Sequence, residues 1–406
     1  MSYTDLNIPT RTIMTPGPVE VDPRVLRALS TPIIGQFDPS FLALMDETME
    51  LLRSVFQTSN KQAFPVDGTS RSGIEAVLVS VIEPGDKVLI PIFGRFGHLL
   101  VEIANRCGAE VYALEKEWGQ VFDPEEIIKE IKKVNPKLVA IVHGETSTGR
   151  MQPLEEIGHF CRENDVLLIV DAVATLGGVP FKTDEWNVDA VIAGTQKCIG
   201  APTGMAPVTY NERIEKILQQ RKKIEQGLSL DSINPRRIQS NYMDLSQIQD
   251  YWSPNRLNHH TEATTMLYAL REALRLIEEE GLEARFERHK IHEKALVLGL
   301  QEMGLELFGD EKNKMPVVTV VKVPGEINEA QVRATMINEF GIEIAGAFGS
   351  LKGHVWRIGA MGYSSRKSNI LSVLSALEAT LIYYGAKVNR GEALQAVLAF
   401  YQSIEK

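Results

Sequence analysis

The sequence predicts an α/β fold in which a mostly parallel sheet carries helices on both faces and a smaller α+β domain follows. Short apolar runs alternate with amphipathic helical segments between residues 64 and 210, as in βαβ units. Two of these runs, 166–170 and 190–193, are followed by Asp171 and by the segment ending in Lys197. Because ligands of open α/β sheets bind outside the carboxyl ends of the strands, both side chains are expected to face one pocket.

The individual elements follow from periodicity and from capping residues, such as Asp123 before a helix at 124–133. Strands are predicted at 86–91, 110–114, 138–142, 166–170, 190–193, 205–210, 316–323, 342–345 and 355–359. Helices are predicted at 23–29, 40–56, 74–82, 99–106, 124–133, 154–164, 212–225, 263–280, 281–302, 329–340, 368–384 and 391–404. Residues 227–254 show weak periodicity and are interpreted as a long functional excursion rather than core.

The change of pattern after the long helices indicates a domain boundary. We expect an N-terminal arm at 1–20, a large domain at 21–280, a small domain at 281–385 and a C-terminal helical extension at 386–406. A net charge of −10 argues against nucleic acid or an anionic membrane as the main partner. Three cysteines, no signal-peptide pattern and no long apolar run together predict a cytoplasmic protein.

Residues 66–73 place small and hydroxyl side chains at the start of a helix. Its exposed N–H groups, with Thr69, Ser70 and Arg71, would form an anion site, although an ordinary N-cap has the same composition. The segment is neither a Walker A loop nor a dinucleotide fingerprint, so a phosphate is predicted without a nucleotide.

A lysine and a carboxylate at neighbouring strand ends suit pyridoxal phosphate, which a lysine binds covalently while an acid partners the pyridine nitrogen. Phe96 could stack on such a ring, although an aromatic residue in this position more usually belongs to the core. Asp171 and Lys197 each also have a common non-functional explanation, since acids after strands and lysines in loops are frequent. A metal at the pair His259 and His260 is not expected, because adjacent histidines on a helix diverge and no third ligand is near in sequence.

Ordered motifs across the chain resemble the class V, fold-type I pyridoxal-phosphate aminotransferases of the alanine– or serine–glyoxylate group. They are TPGPVEV (15–21), HGETSTG (143–149), VDAVATLGG (170–178), GTQKC (194–198), HHT (259–261) and WRIG (356–359). The resemblance implies pyridoxal 5'-phosphate as cofactor and a homodimer whose two active sites are shared between subunits. We expect neither nucleic acid nor a membrane as a partner.

The resemblance also assigns roles to individual residues. Lys197 would hold the cofactor and act as general base and acid, and Asp171 would pair with the pyridine nitrogen. Arg357 would bind the substrate carboxylate. The remaining cofactor contacts would come from Thr69, Ser70, Arg71 and Gln196 at the phosphate, Phe96 on the ring, Thr146 at the phenolic oxygen, Val173, and Thr261 at the phosphate of the neighbouring subunit.

Two departures from the common family pattern concern the amino donor. Gln36 and Asn258 offer amide groups that could read a ureido group, which has both donors and an acceptor. In several segments the chain is similar to the aminotransferases that use (S)-ureidoglycine and glyoxylate, forming oxalurate and glycine in purine breakdown. Alanine or serine as donor is the alternative, and neutral variation at both positions stays open.

Other classes of function fit less well. Relatives that desulfurise cysteine need a catalytic cysteine on a mobile loop, and none lies between Gly341 and Trp356. A nucleotide-binding α/β enzyme would need a glycine fingerprint. A binding protein without catalysis would have no reason to retain Lys197, Asp171 and Arg357.

Overall fold

The structure is a computed structural model that describes residues 5–222, 236–325 and 327–404. Its strands are β1 (Thr12–Ile13), β2 (Gln62–Gly68), β3 (Lys87–Ile92), β4 (Glu110–Glu115), β5 (Leu138–Val142), β6 (Gly144–Glu145), β7 (Arg150–Met151), β8 (Leu167–Asp171), β9 (Ala190–Ile192), β10 (Gly204–Tyr210), β11 (Val318–Lys322), β12 (Ile342–Glu343) and β13 (Val355–Gly359).

The α-helices of the described residues alternate with these strands over the first half of the chain. They are α1 (Pro23–Ala28), α2 (Pro39–Phe56), α3 (Ser70–Val81), α4 (Arg95–Arg106), α5 (Pro124–Val134), α6 (Glu155–Glu163), α7 (Glu212–Arg221), α8 (Leu245–Trp252), α9 (Thr264–Glu280), α10 (Leu282–Glu302), α11 (Glu329–Glu339), α12 (Lys367–Tyr383) and α13 (Glu392–Ile404). Short helical turns cover Thr195–Ile199, Gly349–Leu351 and Gly362–Ser364.

The central sheet has seven strands in the order β2-β10-β9-β8-β5-β3-β4. All its strand pairs are parallel except those of β10, which runs antiparallel to both β2 and β9. The predicted α/β class with a mostly parallel sheet is therefore confirmed. Because β5, β8 and β9 are adjacent and parallel, the residues that follow them meet at one edge of the sheet.

Local sequence explains where several helices begin. Helix α5 starts at a capping box, in which Asp123 and Glu126 each bond the other's backbone, and it ends at Asn135 in the left-handed conformation. Asp38 caps α2 immediately before Pro39 at the first helical position. These are the boundaries that capping rules place with the least ambiguity.

Three clusters of buried apolar side chains hold the fold together. The largest packs the seven-stranded sheet against the helices up to α9, and the second joins α10, α11, α12, α13 and β13. A third, smaller cluster lies around β11 and includes Val19, Ala174 and Cys198. Strand β1 of the N-terminal segment pairs in parallel with β12. The predicted domain limits stay predictions, because these clusters do not mark an exact boundary.

One expectation about the chain's organisation is wrong. The segment 227–254 was expected to lie outside the core, yet its part from residue 245 forms α8, whose Ile248, Tyr251 and Trp252 are buried in the main cluster. Phe64 of β2 stacks on Trp252 with ring centroids 6.0 Å apart. The helix was missed because two turns are too short to show periodicity. The predicted end of helix 212–225, at residues 223–225, lies outside the described residues. So does the part of segment 227–254 that covers residues 227–235.

Within the described ranges, no helix is both long and apolar enough to cross a bilayer.

Candidate active site

A cavity of about 230 Å³ lies at the carboxyl ends of β5 and β8 and brings together most of the predicted site residues. Nine of them line it: Thr69, Ser70, Arg71, Phe96, Thr146, Asp171, Val173, Gln196 and Lys197. They come from five separate segments of the chain, so the topology of the sheet gathers them.

Lys197 lies in the tight turn Thr195–Ile199, where its own backbone leaves the helical conformation (φ −110°, ψ −134°). Its Nζ donates a hydrogen bond to the Pro16 carbonyl. A Cβ on Gly17, whose φ is +101°, would lie 2.7 Å from that Nζ, so only glycine fits there. Burial, with the charge of Arg357, lowers the pKa of Lys197 to about 8. The neutral, nucleophilic amine is therefore far more populated near neutral pH than in a lysine with the ordinary pKa of 10.5, although the protonated form still predominates.

Asp171 ends β8 and is only 5% exposed. Its Oδ1 accepts a hydrogen bond from the Val173 N–H at 2.9 Å. Burial, together with the charge of Glu145, raises the pKa of Asp171 to about 7, although the Val173 bond and Lys197 oppose this. A cation beside this carboxylate would favour its ionised form, which is what a protonated pyridine nitrogen would supply.

The start of α3 forms the anion-binding end of the cavity. Thr69 is the N-cap residue, and its side chain makes no capping bond, so the hydroxyl stays available to a ligand. Ser70 and Gln196 hold each other, with the Gln196 Nε2 donating to the Ser70 Oγ at 2.7 Å. A Cβ on Gly194 would lie 2.3 Å from the same Oγ. This donor set fits a phosphate group.

The loop after β5 orients Phe96 through a residue that the sequence argument did not single out. Glu145 is fully buried and accepts hydrogen bonds from the Phe96 N–H at 2.8 Å and from the Ser147 N–H at 2.9 Å. The Ser147 hydroxyl in turn accepts from the Arg95 N–H at 3.1 Å. Together they cap the start of α4, the helix that presents the Phe96 ring to the cavity. The sequence signal for this role was an acidic residue inside the turn-like motif at 143–149.

His143, the first residue of the same motif, does not serve the cavity. It bonds the Thr175 hydroxyl at 2.9 Å and packs against the rings of Phe181 and Trp186. Burial lowers its pKa to about 3, so it stays neutral and structural.

Arg357 lies beside the cavity rather than in its lining. Its Nε and Nη1 donate to the carbonyls of Gly346 and Thr146 at 2.7 and 3.1 Å, and its guanidinium lies 4.5 Å from the Phe348 ring centroid. Burial lowers its pKa to about 10, so it remains a cation at neutral pH. Phe348 also contacts Arg95, at 4.6 Å, a pairing that the sequence did not reveal.

Arg285 is a second residue that sequence reasoning missed. It is 6% exposed and donates from α10 to the carbonyl oxygens of Gly177 and Cys198, at 2.8 and 2.5 Å. Glu280 balances its charge at 2.6 Å. Arg285 thus connects, by hydrogen bonds, the segments that follow Asp171 and Lys197. No local sequence motif predicts this role.

Three predicted residues lie away from this cavity. The Gln36 Nε2 donates to the Asn258 Oδ1 at 2.9 Å, and the Gln36 Oε1 accepts from the Glu262 N–H at 3.1 Å. Thr261, which lies between Asn258 and Glu262 in sequence, is exposed. The two amides thus pair with each other within one chain, and the roles assigned to all three residues stay predictions.

Comparisons with known proteins agree with this geometry. The family model described as aminotransferase class-V matches residues 33–355. The chain is 62% identical to the (S)-ureidoglycine–glyoxylate transaminase of Bacillus subtilis, over 98% of this chain and 97% of that protein. A crystal structure of the ureidoglycine–glyoxylate aminotransferase from B. subtilis matches 98% of this chain and all of that one with a TM-score of 0.94. An alanine–glyoxylate aminotransferase of Drosophila melanogaster is 38% identical over 92% of each chain.

Proposed function

The chain belongs to the class-V aminotransferases, a family that in general uses pyridoxal phosphate, and we propose that it transfers an amino group from (S)-ureidoglycine to glyoxylate, giving oxalurate and glycine. The observation that carries the proposal is the joint position of Lys197 and Asp171 at one cavity, in a chain 62% identical to a transaminase named for those substrates. A cytoplasmic location stays a prediction.

The cofactor would be held by side chains that already surround the cavity. Lys197 would bind it covalently, Phe96 would cover the ring, and Thr146 would lie at the phenolic oxygen. Thr69, Ser70, Arg71 and Gln196 would bind the phosphate at the start of α3, whose dipole favours an anion. When bound, pyridoxal phosphate supplies an electron sink that stabilises negative charge at the substrate Cα.

Two side chains of this protein would hold or transfer protons during the reaction. Asp171 would keep a proton on the pyridine nitrogen, because its buried carboxylate is stabilised only when a cation lies beside it. The Lys197 Nζ would take the proton from the Cα of the bound donor and then give it up again, so that one amine would serve first as base and then as acid. A pKa of about 8 places this amine close to the range in which one group serves as both base and acid.

Substrate carboxylates would bind Arg357. Its Nε and Nη1 are fixed by backbone carbonyls, and its Nη2 bonds none of the described residues, so that N–H group remains for an anion. Phe348 and Thr146 hold the guanidinium plane in place. Glyoxylate, which is little more than a carboxylate and an aldehyde, needs such a fixed cation for orientation.

Donor recognition would involve the neighbouring subunit. Gln36, Asn258 and Thr261 lie outside the cavity of their own chain, while Thr69 and Arg71 at its phosphate end are exposed. A homodimer that places the first three at the partner's phosphate end would account for both facts. The paired amides would then present a carboxamide-like edge to a ureido group.

A donor titration of the purified holoenzyme tests the substrate. Amino donors are added singly, and the bleaching of the cofactor's visible absorbance is followed. Freshly generated ureidoglycine should bleach it faster than alanine or serine, and Asn258→Tyr should reduce that preference. Faster bleaching by alanine or serine would assign the protein to the other branch of the family. An unchanged ratio in Asn258→Tyr would remove Asn258 from the donor site.

A further inference from the structure

A second polar cluster lies between α8 and the segment that leads into α9. Asp67, at the end of β2, approaches His260, with its Oδ2 3.2 Å from the His260 Nε2. The Glu262 Oε2 lies 3.7 Å from the same nitrogen. The three groups can each offer one ligand atom within 4.8 Å of the others. The fold therefore supplies what the sequence argument lacked, two carboxylates beside one imidazole.

This cluster is buried and most of its side-chain polar atoms are unsatisfied. The exceptions are the Asp67 Oδ2, which accepts from the Ala263 N–H at 3.2 Å, and the His260 Nδ1, which bonds His259. The Glu262 side chain is 1% exposed, and those of Asp67 and His260 are 11% exposed. Ten buried side-chain polar atoms of the described residues lack a hydrogen-bond partner, and five of them belong here: Asp67 Oδ1, Tyr251 Oη, His260 Nε2 and both Glu262 carboxylate oxygens. Since buried polar groups are otherwise nearly always bonded, a concentration of this kind indicates a ligand.

The orientation of His260 supports the same conclusion. The structure places His259 and His260 ahead of α9 rather than within it, and their Nδ1 atoms are 2.8 Å apart. When His260 donates its proton from Nδ1 to His259, its Nε2 carries no proton and lies 3.2 Å from a carboxylate oxygen of Asp67. Two lone pairs at 3.2 Å repel each other unless a cation or a proton lies between them. A ring nitrogen bonded in this way is the usual arrangement of a metal-binding histidine.

We propose that Asp67, His260 and Glu262 bind one divalent transition-metal ion, manganese or zinc, with the Tyr251 hydroxyl beside it. Two carboxylates carry two negative charges, which a divalent cation neutralises. Carboxylate oxygen with a single imidazole suits Mn²⁺, and Zn²⁺ accepts the same ligands. The ion would be structural. It would join the end of β2, next to the phosphate-binding residues, to the segment that carries Thr261.

The experiment measures metal content and binding in the full-length holoenzyme. Wild type is expressed with Mn²⁺ and Zn²⁺ in the medium, purified without affinity metals, and analysed for bound metal. It is then stripped with chelator and titrated with Mn²⁺ and with Zn²⁺ while thermal unfolding is recorded. Wild type should retain a stoichiometric ion, and one of the two ions should raise its Tm.

Glu262→Gln and Asp67→Asn, which keep shape but remove charge, should weaken the binding of that ion at least about 10-fold, given that loss of even an outer partner costs about 10–100-fold. Glu163→Gln, on the exposed face of α6, serves as the matched control and should bind like wild type. If wild type takes up neither ion, the proposal is overturned. A proton shared between the carboxyl groups of Asp67 and Glu262 would then explain the cluster. Equal binding by wild type and Glu262→Gln, if that variant is folded, also overturns it, because the ions would then sit elsewhere.

Discussion

At the scale of single residues, the proposed chemistry depends on two side chains whose surroundings oppose their charged forms. Asp171 and Lys197 lie at neighbouring ends of β8 and β9, and burial shifts the pKa of each toward neutrality. Neither environment would stabilise an isolated ion, since desolvation outweighs the attraction between the two groups. The site is therefore arranged for a ligand that carries the compensating charge.

Replacing Lys197 by alanine should remove transamination. Without the amine there is neither a covalent attachment for the cofactor nor a group to move the Cα proton, and general acid–base catalysis alone is worth about 10²–10⁴-fold. The measurement is turnover with ureidoglycine and glyoxylate at saturating cofactor. Lys182→Ala removes a half-exposed lysine that pairs with Glu185 and should retain full activity. Retained turnover in Lys197→Ala would eliminate the proposed mechanism.

The stability of the cofactor-free protein should depend on pH through Asp171. Its pKa in the fold is raised to about 7 from 3.8, so its charged form is disfavoured by folding. This carboxyl therefore costs no stability below pH of about 4, and the cost grows as the pH rises from there to about 7. Urea unfolding of wild type and Asp171→Asn across that range measures the difference, which should be smaller once cofactor is bound. Parallel pH profiles for the two cofactor-free proteins would contradict this assignment.

At the scale of elements, the loop after β5 and the start of α4 act as one unit. Glu145 satisfies two backbone N–H groups there, and Ser147 satisfies a third. In the proposed function, the ring of Phe96 would cover a flat cofactor only while this start of α4 is held in place. The contacts join residues 49 and 52 positions apart, so the unit exists only in the folded chain.

Glu145→Ala should therefore destabilise the protein and loosen cofactor binding. It leaves buried donors unsatisfied, which costs about 1–3 kcal/mol for each such group. We expect a lower Tm and weaker retention of pyridoxal phosphate, measured by unfolding and by equilibrium dialysis. Glu163→Ala, an exposed glutamate on α6, is the control and should alter neither quantity. If the Tm falls while cofactor affinity is unchanged, Glu145 stabilises the fold without orienting Phe96.

At the scale of the whole molecule, the residues that the proposed function assigns to the partner's site lie beside exposed apolar side chains. Large apolar side chains lie exposed beside Gln36 and Asn258: Ile33 at 72%, Phe37 at 55% and Leu257 at 56%. Exposed apolar residues that flank a polar pair are typical of a subunit interface. The predicted sharing of active sites between subunits would require an interface at this place.

Phe37→Asp should dissociate the predicted dimer and reduce cofactor retention together, because a charge would be buried at the interface and Thr261 would leave the partner's phosphate. Sedimentation and dialysis measure the two effects. Tyr383→Asp alters an even more exposed aromatic, at 77%, on α12, and should leave both unchanged. A wild type that sediments as a monomer while binding the cofactor normally would contradict the shared site.

The sequence by itself determined the α/β class, most helices and strands, and the cavity residues that follow strand ends. Buried strands are continuous apolar runs, helices show a 3.6-residue period, and the residues after parallel strands must meet at one edge. Only the tertiary structure decided the roles of α8, Glu145 and Arg285, the pairing of Gln36 with Asn258, and the approach of Asp67 to His260. These contacts join segments whose sequence separation reaches 222 residues. They depend on how whole helices and strands pack against each other, and local sequence patterns do not predict that packing.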